Sequence, residues 1–316
     1  MLNVRPGNRP FTRGEKTIWR IRQHGSFYLL LLPSLVLLII FTYIPMYGVV
    51  IAFKNFKPID GIWGSEWVGF AQFERFFNQA AFWDILKNTL VLSVYSLLAG
   101  FPMPILLALF LNSCVFKRFT KAAQLITYAP HFISTVVFVG ILNIFFAPTM
   151  GIVQQFLGIL GMADKPLQIL MDADAFPHLY VWSGVWQGMG WGSIIYLAAL
   201  SGVDPSLHEA SVVDGANKLQ RMWYIDLPCI VPTIVTLLIL NCGNILNVGF
   251  EKVYLMQNSM NLSTSEIIST YVYKMGLLNS QYSYSTAIGL FNSVINMILL
   301  VTVDRISKKM GQDGLF

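Results

Sequence analysis

The chain has 316 residues, 55% of them apolar and only 12% charged, where a soluble domain carries roughly 25% charged residues. Because the apolar residues come in long blocks, this excludes an ordinary soluble domain and points to an integral membrane protein. The net charge of +5 does not indicate a nucleic-acid partner, since the basic residues lie at the edges of apolar runs rather than interleaved with aromatics on one face.

In chain order, residues 1–25 form a basic arm with Arg5, Arg9, Arg13, Lys16, Arg20 and Arg22. The uncharged run from Ser26 to Phe53 follows, too long for the apolar core of a cleavable signal peptide and long enough to span a bilayer, with Pro33 and Pro45 as kink points. Residues 54–87 are rich in aromatics and read as an interfacial belt with a short amphipathic helix. Further uncharged runs at 88–116, 122–147, 175–203, 229–250 and 275–303 bring the expectation to six spans. With the N-terminus inside, Lys117, Arg118, Lys121, Lys218, Arg221, Arg305, Lys308 and Lys309 join the arm on the cytoplasmic side. The outer segments hold fewer basic residues, Lys252 among them, together with Asp164, Asp172 and Asp174. Cys114, Cys229 and Cys242 lie in or beside apolar runs without paired spacing, which supports neither a disulfide framework nor a metal site.

The polar residues within the spans are mostly amides, hydroxyls and indoles. Asn241, Asn244, Asn247 and Glu251 recur at helical spacing in the fifth span, as do Ser285, Asn292 and Asn296 in the sixth. Two readings stand: a path lined by these stripes, or interhelical hydrogen bonds that only hold the bundle together. In the fourth span Trp182 and Trp186 share one face, with Tyr180, Gln187 and Trp191 on roughly the opposite one. Aromatic faces stack on sugar rings, and they also anchor helices at the membrane boundary. Tyr128, His131 and Thr135 share a face of the third span, where His131 reads as a packing residue.

Residues 204–228 form a polar, helix-prone island between two apolar runs. Asp204 and Pro205 read as a helix start, Gly215 as a break, and 218–226 as a second short helix that Pro228 keeps from continuing unkinked. Here Glu209-Ala210-Ser211, Asp214-Gly215-Ala216 and Ile225-Asp226-Leu227-Pro228 resemble the EAA loop of ABC importer permeases, with Ser211 where the pattern has Ala. The entry to the first span, LLLPSLVLLIIFTYIPMYGVVIAFKNF, is similar to the carbohydrate branch that imports oligosaccharides and polysaccharide fragments, alginate importers included.

The resemblance implies an all-α integral membrane fold of the type I importer kind. It divides the chain into a cytoplasmic arm (1–25), a six-helix permease domain (26–304) with the coupling loop at 204–228, and a cytoplasmic tail (305–316). It further implies a bacterial inner-membrane location, a second homologous permease, two ABC ATPase subunits and an extracytoplasmic solute-binding protein. The chain carries no phosphate-cradling loop of the G-x-x-x-x-G-K-[ST] kind and no H-E-x-x-H or G-x-S-x-G motif, so no cofactor is expected on it. ATP and Mg are expected on the partner subunits, and the chain is not expected to be an enzyme. Import of amino acids or phosphate is the alternative, disfavoured because the later spans carry no cationic residue; an intramembrane enzyme is more remote.

Overall fold

The computed structural model describes residues 24–162 and 166–309. Most of the basic arm, the loop charges Asp164 and Lys165, and residues 310–316 of the tail lie outside the described residues. The chain divides into two units, Met1–Gly69 and Phe70–Phe316.

In the first unit, α1 (Gly25–Phe53) is one helical run of 29 residues. It does not kink sharply at Pro45. It widens into a π turn over Ile39–Tyr43, just ahead of the proline that lacks an N–H and crowds the carbonyl four residues back. A small hairpin follows, β1 (Lys54–Asn55) against β2 (Glu66–Trp67), with the single-turn α2 (Gly61–Gly64) between them. Lys54 closes it by donating to the Ile62 and Ser65 carbonyls at 2.7 and 3.3 Å, and Phe53 stacks on Trp67.

The second unit is helical: α3 (Ala71–Phe77), α4 (Phe82–Ser113), α5 (Lys117–Tyr128), α6 (Thr135–Phe145), α7 (Ile152–Ile159), α8 (Ala175–Leu200), α9 (Pro205–Val213), α10 (Lys218–Gly243), α11 (Phe250–Met256), α12 (Leu262–Ser265), α13 (Ile268–Tyr273) and α14 (Tyr282–Lys309). Among the described residues, four helices are long and apolar enough to cross a membrane, namely α1, α4, α10 and α14. A bent pair, Lys117–Phe132 with Thr135–Phe145, makes a fifth. That pair corrects the expectation of a continuous third span. Pro130 cannot donate to the helix, Ile133 is extended, and Ser134 caps α6 by accepting from the Val137 N–H, so the chain turns by 104°. The expected fourth span is α8, whose 26 residues reach about 39 Å. Its glycines, tryptophans, hydroxyls and Gln187 make it less apolar than the others.

Two more boundaries differ. The fifth run does not stay helical to Phe250: α10 ends at Gly243, and residues 244–249 are irregular before α11. The last helix starts at Tyr282 rather than Met275, after a π turn at Lys274–Leu278. One core cluster joins α4, α6, α8 and α11 around Leu92, Phe138, Val181 and Val253. A second packs Ile105 and Leu109 of α4 on Tyr196 of α8 and on Met222 and Ile230 of α10.

Candidate functional site

The loop 204–228 is built largely as its residues predict. The Asp204 carboxylate accepts from the Ser206 N–H at 2.9 Å and Pro205 occupies the first turn of α9. Gly215 ends α9 with φ +79, the left-handed conformation that a Cβ disfavours. The Ala216 N–H reaches back to the Ser211 carbonyl at 2.9 Å and the Gly215 N–H to Val212 at 3.1 Å, a Schellman closure. Asn217 and Gln220 then cap α10 reciprocally, side chain to backbone, at 2.9 and 2.7 Å. The second expected short helix is corrected: residues 218–226 run into α10 without a stop. Pro228 is accommodated by the π turn Met222–Asp226 ahead of it, which relieves the crowding that would otherwise kink the helix.

Glu209, Ala210, Asp214 and Gly215 are exposed, Ser211, Ala216, Ile225 and Leu227 partly buried, and Pro228 exposed. Beside them stand apolar side chains in the open, notably Val213 at 86% and Tyr224 at 80% exposure. Beneath the loop, Asp226 is buried; His208 Nε2 lies 3.2 Å from its Oδ1, and Asn112 of α4 donates to the same oxygen at 3.4 Å. Sequence reasoning passed over His208 and Asp226 as site residues, because their partnership depends on folding α9 back over the start of α10.

The polar residues of the spans are divided by the fold. Asn241, Asn244, Asn247 and Glu251 do not form one helical stripe, since α10 stops between the first two and Glu251 sits exposed on α11. Asn247 instead gathers its neighbours: its Oδ1 accepts from Asn292 at 3.1 Å and from Asn296 at 3.4 Å, and its amide donates to Asn244 Oδ1 at 3.4 Å. Asn296 Oδ1 takes the Leu246 N–H at 3.1 Å, closing the irregular segment onto α14. Asn292 and Asn296 thus bond α14 to the irregular segment after α10. Trp182 donates to Tyr95, Trp186 stacks on Phe138, and Trp191 lies flat on His131 with ring centroids 4.5 Å apart.

Two cavities adjoin these helices. One of about 460 Å³ opens between α4, α8 and α10, with Tyr196, Asn241 and Asn247 in its wall. A second of about 330 Å³ lies between α4, α8 and α11, with Gln187 and Lys252 in its wall. The two share Ser96, Gly100, Pro104 and Tyr180. Of the expected path residues, only Asn241, Asn247 and Gln187 line them; Trp182, Trp186, Trp191, Asn244, Glu251, Asn292 and Asn296 do not. Lys252 is buried rather than solvated. Expected in an outer connecting segment, it is 8% exposed and points under α8, where Nζ donates to the Tyr180 carbonyl at 2.8 Å. A basic side chain therefore does face the cavity, and burial pushes its amine down to about 7. The sequence hides it, because Lys252 follows Glu251 and the pair reads as a solvated loop.

The comparisons with known proteins agree with this architecture. Residues 86–312 match the family described as the binding-protein-dependent transport system inner membrane component, and the chain belongs to it. It is 44% identical to protein LplB of Bacillus subtilis, with 96% of each chain covered. It is 41% identical to the polygalacturonan/rhamnogalacturonan transport system permease protein YteP of the same organism, covering 96% of this chain and 94% of the relative. Among solved structures, a chain of a bacterial alginate ABC transporter, in complex with an alginate pentasaccharide-bound periplasmic protein, superposes with TM-score 0.86 at 38% identity. That match covers 94% of this chain and 98% of the other. The chain is thus a transporter permease of the membrane, not an enzyme.

Proposed function

We propose that the chain is one of two homologous permease subunits of an ABC importer that takes up oligosaccharides handed over by an extracytoplasmic solute-binding protein. The observation that carries this reading is its likeness, over nearly the full length, to a permease for polygalacturonan and rhamnogalacturonan and to a chain of an alginate transporter. Six helices cross the bacterial inner membrane, α8 included, and both termini face the cytoplasm. The basic arm, the domain 26–304 and the tail divide the chain.

Loop 204–228 is the element that couples the chain to the ATPases. Glu209, Ala210, Ser211, Asp214, Gly215, Ala216, Ile225, Leu227 and Pro228 form the docking face, and two ATPase subunits hold the ATP and Mg. Supporting this are the exposed apolar residues beside Glu209 and the rigid closure at Gly215, which suit a surface that is pushed rather than one that bends. Substrate passes along the adjoining cavities, where Gln187, Asn241 and Asn247 offer hydrogen bonds to hydroxyls.

Gly215→Pro cannot adopt φ +79 and deletes the N–H that closes α9. Glu209→Lys reverses an exposed charge at the docking face. Both variants are expected to insert and assemble yet lose ATP hydrolysis stimulated by the substrate-loaded binding protein in reconstituted complexes. Normal coupled transport by either would remove the docking assignment.

A further inference from the structure

Lys252 stands apart from every other cation among the described residues of the second unit. Burying an ammonium is costly unless it is paired and fully hydrogen-bonded. Lys252 Nζ has three donors, yet it makes one hydrogen bond, to the Tyr180 carbonyl at 2.8 Å. The ring faces of Tyr180 and Phe138, with centroids 4.8 and 5.2 Å away, give it cation–π support. No carboxylate pairs with it; the ion pairs among the described residues are His208–Asp226, Lys274–Glu266 and Lys308–Asp304. An apolar side chain of similar volume would fill the place at less cost, so the charge calls for another reason.

The surroundings are shaped around it. Gly184 faces the ammonium so closely that a Cβ there would stand 3.2 Å from Nζ. The cavity of about 330 Å³ opens at this point, with Gln187 and Gly188 on the same helix and Ser96 opposite. Ser96 Oγ is buried and has no hydrogen-bond partner. A lysine amine with no carboxylate partner, an unpartnered hydroxyl and the Gln187 amide, whose Nε2 also donates to the Ile133 carbonyl at 3.2 Å, thus face one space. This set suits a carboxylate flanked by hydroxyls: a charge-assisted bond from Nζ to the carboxylate, and bonds from the sugar's hydroxyls to Ser96 Oγ and to the Gln187 Oε1.

We infer that Lys252 is a specificity-determining residue of the permease cavity, pairing with the carboxylate of a uronic-acid unit as an acidic oligosaccharide passes. The inference rests on the oligosaccharide reading above and deepens it. Neutral sugars gain nothing from this charge. A uronate relieves it, and the single carbonyl bond holding Nζ is weak enough to be exchanged on passage.

The test uses the complete importer in proteoliposomes, with its ATPases, partner permease and binding protein. Uptake of uronate trisaccharides (galacturonate, mannuronate and guluronate) is compared with that of their carboxyl-reduced, neutral counterparts. The binding protein is the same throughout, so a change in the uronate-to-neutral ratio of kcat/KM on mutating this chain belongs to this chain. Lys252→Gln should lower that ratio by about tenfold, the factor corresponding to ~1.4 kcal/mol, a usual scale for a bond to a charged group. Lys252→Arg should keep most of it, and Gly184→Ala, which crowds the ammonium without removing it, should lower it too. A ratio unchanged in Lys252→Gln, or equal loss of both substrates in an assembled complex, overturns the inference. So does a wild-type importer that prefers the neutral sugars, which leaves the importer reading intact. A wild type that moves neither class overturns both.

Discussion

At the scale of single residues, burial decides which polar groups matter. Asn247 Oδ1 is shared by Asn292 and Asn296, but the two donors are not equivalent. Asn296 also satisfies the buried N–H of Leu246, whereas Asn292 leaves its own Oδ1 buried and unpartnered. Replacing Asn296 by Leu strands a backbone donor, at a cost of about 1–3 kcal/mol. Replacing Asn292 by Leu removes one bond together with one orphan acceptor, and should cost less than about 1 kcal/mol, in line with interhelical bonds in membranes. Thermal unfolding of the detergent-solubilised complex should rank Asn296→Leu well below Asn292→Leu, and equal shifts would show that the amides contribute nothing specific. Asp204 shows the same logic at the loop. The Ser206 backbone N–H, with help from its hydroxyl, holds its carboxyl below the usual carboxylate range. A depressed folded value means the cap's contribution is present above the ordinary carboxylate pKa and is lost as pH falls through the folded one.

Between elements, close approach depends on residues without side chains. A Cβ on Gly190 of α8 would fall 2.0 Å from the Thr127 carbonyl oxygen of α5, a backbone atom that cannot swing away. Gly190→Ala must therefore part α8 from α5 and disturb the His131–Trp191 stack beside it. Gly188→Ala, with open space around its Cβ, serves as the control. The expected outcome is loss of assembled complex in membranes for Gly190→Ala and normal levels for Gly188→Ala; normal levels for both would mean α8 has room to shift. Helix existence was readable from apolar runs because each run must bury or face lipid along its length. Helix breaks were less so. Gly215 and Asp204 declare their breaks locally, through φ and capping chemistry, and were legible. The irregular segment after Gly243 is held by Asn296, some fifty positions away, and no local pattern announces it. For the same reason the break in the asparagine stripe of α10 and the burial of Lys252 have no local signal: the cavity beside Lys252 exists only once α11 tucks beneath α8.

Over the whole molecule, the question is how motion at loop 204–228 reaches the cavities. The covalent route runs through α8 and α10, which flank the loop and line the larger cavity. A second link is the His208–Asp226–Asn112 cluster, which fastens α9 to the base of α10 and to α4, the third wall of both cavities. The cluster therefore ties α9 to the ends of α10 and α4, a second link beside the covalent one. The members of the cluster differ in what their loss leaves behind. His208 has a side chain 29% exposed and Asp226 one only 3% exposed, so His208→Ala leaves a buried carboxylate with just the long Asn112 contact and the nearby Arg221 charge, whereas Asp226→Asn leaves a neutral amide beside a residue that can turn to water. Removing one partner of a buried pair costs up to about 3–5 kcal/mol, while replacing both can be nearly neutral. His208→Ala should thus lower the unfolding temperature more than Asp226→Asn, and His208→Ala combined with Asp226→Asn should recover part of that loss. Stability and coupling separate in the double variant: with the buried charge gone part of the stability returns, but the tie between α9 and α10 does not. The ATPase activity of the complex reconstituted with it should be present yet respond weakly to the loaded binding protein. A double variant with both full stability and full stimulation would show that the covalent route through α8 and α10 alone carries the coupling.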